Sequence, residues 1–173
     1  MPRVKPFPIL TLAAALIAGC ASPSESPQQR ADNARAAFDR ITRDVHAPSA
    51  DARAAERERL LAQAADAYEQ LLRQYPDQTQ ICAQTRCSLG NVRASQGRID
   101  DAVKLYSSVA SKCPEADWQI LTAWKSAGDL LADAGRAAEA RPLYEKIVER
   151  FDKPDASPIV KSIVRGSRAR LKA

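Results

Sequence analysis

One spacing governs most of this chain. Ala64, Ala102 and Ala140 stand 38 residues apart, as do Tyr68, Tyr106 and Tyr144, and Leu71, Val109 and Ile147. Tyr75, Cys113 and Phe151 continue the register, and Pro76 matches Pro114. Gly90, Gly128 and Gly166 keep the same interval, and so do Gly97 and Gly135. Agreement in size and polarity at so many positions marks an internal repeat. A unit of this length is one supersecondary element that buries its apolar face only by stacking on a neighbour.

The elements are helices. Apolar residues fall at helical intervals around each glycine, as in Leu89, Val92 and Ala94 or Leu121, Trp124 and Leu131. Gly97 and Gly135 interrupt that pattern as helix ends do. No β-branched alternating run occurs, and alanine is abundant while aromatics are 5% of the chain. Each unit therefore reads as helix, tight turn, helix.

Leu89-Gly90, Gly97, Ala102, Tyr106 and Pro114 in one unit, and Trp124, Gly128, Gly135, Ala140 and Tyr144 in the next, resemble the tetratricopeptide repeat. The resemblance implies an all-α solenoid of about three helix pairs plus a C-terminal capping helix. Small residues at 90, 102, 128 and 140 would let helix backbones approach while Tyr106 and Tyr144 fill the groove beside them. There are departures: the period is longer than the family's usual length of about 34 residues, Arg86 stands where an aromatic is usual, and Pro142 falls in the second turn of its helix.

These signals divide residues 31–173 into an irregular first unit (31–77), regular repeats at 79–114 and 117–152, and a capping helix at 157–172 carrying Ile159, Ile163 and Val164. The first unit lacks a turn glycine, since the period places Arg59 there. A short helix over about 31–45, with Ala34, Phe38, Ile41 and Val45 on one face, and a long one from the N-cap Ser49 to Pro76 are expected.

The N-terminus carries a separate instruction. Arg3 and Lys5 precede an uncharged apolar run, Ile9 to Ala18, followed by Gly19-Cys20. This is the layout of a secretory signal, too short to span a membrane. Ile17-Ala18-Gly19-Cys20 resembles the lipobox of bacterial lipoproteins, which implies a signal peptide over 1–19 and a diacylglycerol on the Cys20 thiol. Ala21 is not the aspartate that tends to retain such proteins in the inner membrane, so the outer membrane, facing the periplasm, is expected, with the inner membrane as the alternative. Several acyl chains together make attachment effectively permanent. Residues 20–30, with two prolines and no large apolar side chain, read as the acylated end and a flexible tether.

Net charge is +5 for the chain, and loss of Arg3 and Lys5 with the signal would lower it by two. So mild a balance argues against nucleic acid. His46 is the sole histidine and sits in His46-Ala47-Pro48-Ser49 without a neighbouring ligand or nucleophile, a surface loop residue by this reading. Phosphate-loop, metalloprotease and nucleophile-elbow motifs are absent, so no catalytic activity, cofactor or metal is expected.

Cys82, Cys87 and Cys113 remain beside Cys20. In an antiparallel helix pair turning near Gly97, Cys82 and Cys113 are equidistant from the turn, which favours a disulfide between them, with Cys87–Cys113 as the alternative. Closing a loop of about 30 residues stabilises by roughly 3 to 4 kcal/mol. The thiol left over, if Cys87, lies one repeat before Lys125, whose charge would favour a thiolate. That makes a thiol-based redox or redox-sensing role the competing function.

The resemblance also implies a concave surface lined by first helices, projecting Gln84, Cys87, Asn91 and Ser95 from one unit and Thr122, Lys125, Asp129 and Asp133 from the next. Such a row suits an extended peptide or a partner's helix. The leading expectation is thus a lipid-anchored scaffold or assembly accessory with a protein partner in the envelope. Its oligomeric state is left open. Arg165, Arg168, Arg170 and Lys172 crowd the last helix, where cations suit its dipole.

Overall fold

In the computed structural model, which describes residues 25–172, seven α-helices follow one another: α1 (Pro27–Ile41), α2 (Ala54–Gln74), α3 (Thr79–Ser95), α4 (Ile99–Lys112), α5 (Asp117–Asp133), α6 (Ala137–Phe151) and α7 (Pro158–Lys172). Among the described residues there is no strand. The helices pack in sequence, α3 on α4, α4 on α5, α5 on α6 and α6 on α7, with the first helices α3 and α5 also touching. This is the all-α helical-hairpin solenoid that the resemblance implied.

The two regular repeats turn identically. Gly97 and Gly135 adopt φ +74° and +76°, the left-handed region that a side chain resists. Each sits just past a first helix in a closing pair of hydrogen bonds. Arg98 N donates to Arg93 O (2.9 Å) and Gly97 N to Ala94 O (2.9 Å); 38 residues on, Arg136 N donates to Leu131 O (2.8 Å) and Gly135 N to Ala132 O (3.0 Å). The second helices then begin, Asp100 and Asp101 lying in the first turn of α4, where negative charge meets the positive helix end. Pro142 lies on the exposed face of α6, which continues through it.

The main core runs through α3 to α7 and holds Ala102, Tyr106, Val109, Ile120, Leu121, Tyr144 and Ile147. Two smaller clusters join α1, α2 and α3, one around Leu61, Ala64, Tyr68 and Val92, the other around Ala34, Leu71, Tyr75 and Ile81. Fully burying a large apolar side chain contributes about 1.5–3 kcal/mol, so the stacked units hold one another up.

The first unit departs from expectation at three boundaries. Helix α1 starts at Pro27, inside the stretch read as tether. Proline at the first helical position gives up no hydrogen bond, and Ser26 and Gln29 form a capping box, Gln29 N donating to Ser26 Oγ (3.2 Å) and Ser26 N to Gln29 Oε1 (3.0 Å). Arg30 then fastens the helix: Nη2 donates to Gln74 O (2.7 Å), Nε to Asp77 Oδ1 (3.0 Å), and the guanidinium stacks 5.0 Å above the Tyr75 ring. Secondly, α1 gives way at Thr42–His46 to a wider π-type turn and at Ala47–Ala50 to a 3-10 turn. Thirdly, Ser49 caps no helix. Its hydroxyl donates to His46 O (2.6 Å) within the connection, and α2 begins five residues later.

Candidate functional site

The eight polar positions expected on the first helices lie on α3 and α5, spaced three and four residues apart so that each set forms one stripe. The structure brings the stripes side by side, but it already employs several members. Gln84 Oε1 accepts from Arg35 Nη1 of α1 (2.7 Å). The Thr122 hydroxyl turns back on its own helix, donating to Trp118 O (2.9 Å) and Gln119 O (3.1 Å). Lys125 pairs with Asp129 one turn on. Asn91, Ser95, Lys125 and Asp133 are exposed, while Gln84, Cys87, Thr122 and Asp129 are half-buried. An open depression of about 580 Å³, lined by Ala54, Arg57 and Leu61 of α2 and by Gln96 and Arg98, reaches the stripe at Ser95.

Two members of the stripe serve the core. The Tyr106 hydroxyl donates to Asn91 Oδ1 (2.6 Å), and 38 residues later the Tyr144 hydroxyl donates to Asp129 Oδ1 (2.8 Å). Both rings lie against a glycine. A Cβ on Gly90 would come within 2.5 Å of Tyr106 Cε1, and one on Gly128 within 2.8 Å of Tyr144 Cε1. Glycine, ring and polar acceptor thus form one repeated joint between first and second helix. Burial, and after it Asp129, pushes the Tyr144 phenol up to about 12, so it donates at any ordinary pH. Burial works against the charge of Asp129, but Lys125 and the Tyr144 hydroxyl together hold its carboxyl below the usual carboxylate range. Arg170 of α7 approaches the same carboxylate at 3.7 Å, a contact that the sequence pattern did not suggest.

The sequence pattern of the tetratricopeptide repeat matches residues 49–117 and again residues 87–157, two alignments whose starts are displaced by the chain's own period. This chain belongs to the tetratricopeptide-repeat family. A search of curated proteins finds no match to it. Tetratricopeptide repeats are protein-interaction scaffolds, and the glycine–tyrosine joints and glycine turns give this tetratricopeptide-repeat protein the framework that such a role requires.

Cys87, the thiol on which the redox reading rested, does not have the surroundings of a reactive one. Cys82, Cys87 and Cys113 are free. Cys87 is half-buried with its Sγ 3.7 Å from Gln119 O, and burial, followed by the nearby Cys113, pushes it up to about 12. Lys125, expected to favour a thiolate there, spends its charge on Asp129. Cys87 is therefore a neutral thiol at physiological pH.

His46 is likewise not a surface loop residue. It is half-buried beside the first unit's tyrosine, Nδ1 lying 3.1 Å from Tyr68 Oη and the rings meeting edge to face at 5.7 Å. Burial lowers its pKa below the ordinary 6.5. A signal was present, since the period marks Tyr68 as a joint and that joint lacks the usual partner. At the C-terminal end Arg168 pairs with Asp152, while Arg165 and Lys172 are exposed. Among the described residues no group of three His, Cys, Asp or Glu side chains is placed to hold a metal ion, and no helix is long and apolar enough to cross a membrane. Cys20 and residues 1–19, expected to be a signal peptide, lie outside the described residues.

Proposed function

We propose that this chain is a lipid-anchored envelope protein that presents the polar stripe of α3 and α5 to a protein or peptide partner and has no catalytic activity of its own. The observation that carries the reading is the repeat architecture. Stacked helix pairs hold Ser95, Lys125 and Asp133 at fixed positions on neighbouring first helices without using them in the core. A rigid row of this kind loses little entropy when it binds an extended partner. The anchor rests on Ile17-Ala18-Gly19-Cys20, and Ala21 favours the periplasmic face of the outer membrane.

Because Asp129 holds the Tyr144 hydroxyl, the stripe is best tested at positions outside the joints. In-cell crosslinking of the anchored protein should capture a partner that the Lys125→Ala, Asp133→Lys double variant loses while keeping its helical circular dichroism. Retention of the partner by that variant would move the site elsewhere. Cys20→Ala should abolish recovery in washed membranes, and a variant that stays in the membrane fraction refutes the acyl anchor independently of the stripe.

A further inference from the structure

The mouth of the α3–α4 hairpin, opposite the Gly97 turn, gathers thiols around a guanidinium. Contacts across the hairpin fix its register. Gly90 lies on the Tyr106 ring, and farther from the turn Arg86 Nη1 donates to Ser108 Oγ at 3.1 Å. Cys82 lies four residues before Arg86 on α3, and Cys113 five residues beyond Ser108 at the end of α4, so the same antiparallel register sets the two cysteines across from each other. Both are buried in one core cluster, Cys82 at 7% exposure and Cys113 at 1%. Cys87 faces α5 instead, toward the Gln119 carbonyl.

Arg86 completes the arrangement. Its Nε is buried and has no hydrogen-bond partner, a costly state for a charged donor. Burial raises both the Cys82 and the Cys113 thiol, and at each of them Arg86 opposes the rise. The other charges around the pair, Asp77 ahead of α3 and Glu115 after α4, work against a thiolate at Cys82 and at Cys113 respectively. Arg86 is thus the charge that favours it. Cys87 has no such neighbour.

We propose that Cys82 and Cys113 form a disulfide assisted by Arg86 when the protein meets a disulfide oxidant, and that Cys87 stays a thiol. Cys82, the more exposed of the two, releases to solvent the proton that its thiol donates to Tyr75 O (3.1 Å). The thiolate attacks one sulfur of a small aliphatic disulfide, whose S–S bond breaks and releases one thiolate that takes up a proton. The Cys113 thiolate, its own proton passed to solvent, then attacks the Cys82 sulfur of the mixed disulfide and expels the second small thiol. Two protein thiols are oxidised and one small disulfide is reduced to two thiols. The bond ties the start of α3 to the end of α4 and so fixes the first helix that carries Gln84, Asn91 and Ser95.

The test incubates the reduced, folded protein with oxidised glutathione, blocks the remaining thiols by alkylation and maps tryptic peptides without reduction. Cleavage after Arg86 separates Cys82 from Cys87. The expected product is a Cys82–Cys113 crosslink with Cys87 alkylated. In a Cys87→Ser background, Arg86→Gln should slow oxidation several-fold at neutral pH and move its pH profile upward, and Arg86→Lys should restore much of the rate. A dominant Cys87–Cys113 link, or mixed disulfides only, in the native wild-type chain would overturn the pairing. An unchanged pH profile in a folded Arg86→Gln variant would overturn the role of Arg86.

Discussion

Tyr68, Tyr106 and Tyr144 hold one register position in three units, yet the first lives differently from the other two. In the regular repeats each hydroxyl donates to an Asn or Asp fifteen residues earlier on the paired helix, and each ring seats on a glycine. In the first unit the Tyr68 hydroxyl meets Thr42 Oγ1 at 2.9 Å and His46 Nδ1 at 3.1 Å, side chains of the π-type turn. The ring packs tilted against Phe38 at 5.9 Å. All three rings are buried, at 0%, 3% and 3% exposure. The lesson is that the stacked fold demands the ring, whereas the partner of the hydroxyl is whichever polar side chain the neighbouring segment brings alongside. A regular hairpin supplies it locally, and an irregular one must bend a connection to reach it.

That contrast can be broken at several points. Tyr144→Ala should be the most damaging change, costing about 3–5 kcal/mol in denaturant unfolding because the vacated joint lies between α5 and α6 and cannot collapse. If Tyr68→Ala costs as much, the ring matters equally in both kinds of unit. Gly90→Ala comes next, at about 1–3 kcal/mol from overpacking against the Tyr106 ring. Arg59→Ala, at the place where the period would put a turn glycine, should shift stability by under about 0.5 kcal/mol, since that side chain is exposed on α2.

Removing only the hydroxyl separates the two environments more finely. Tyr106→Phe should cost about 1 kcal/mol, because exposed Asn91 recovers its hydrogen bond from water. Tyr68→Phe should cost somewhat more, about 1–2 kcal/mol, because it strands half-buried Thr42 and His46. A larger loss at Tyr106 would reverse the comparison. The smallest effect is a pH dependence confined to the first unit. Burial lowers the folded His46 pKa below 6.5, so the unfolded chain binds the proton more readily. Stability is then complete above about pH 6.5 and declines as pH falls toward the folded value. His46→Gln should flatten that part of a thermal-melt series, and an unaltered slope would remove His46 from the account.

Most of the regular repeats was legible in the sequence because their packing is local and periodic. Gly97 and Gly135 could be placed as turns from spacing, and the glycine–tyrosine contacts followed from the resemblance to the tetratricopeptide repeat. The first unit was less legible for the same reason. Its helix start depends on Ser26, Pro27 and Gln29 acting as a cap, whereas the two prolines and the lack of large apolar side chains there signal a flexible tether. Its turn depends on Thr42 and His46 reaching a tyrosine more than twenty residues away. The stripe was legible as positions but not as availability. Nothing in the spacing showed that Arg35 of α1 holds Gln84 or that Asn91 and Asp129 are committed to tyrosine hydroxyls. An outward-facing polar residue and one that anchors a buried hydroxyl look the same in a repeat.

The early start of α1 sets a reach. Six peptide steps separate Cys20 from the cap at Ser26, and a chain spans at most about 3.3–3.6 Å per residue. A lipid on Cys20 would therefore leave the first helix within about 20 Å of its point of attachment, roughly two helix diameters. An anchor at Cys20 would thus keep the α1 end of the solenoid close to the bilayer surface. A partner that is itself bound to the same membrane would be met by lateral diffusion, and a soluble one would have to come down to the surface.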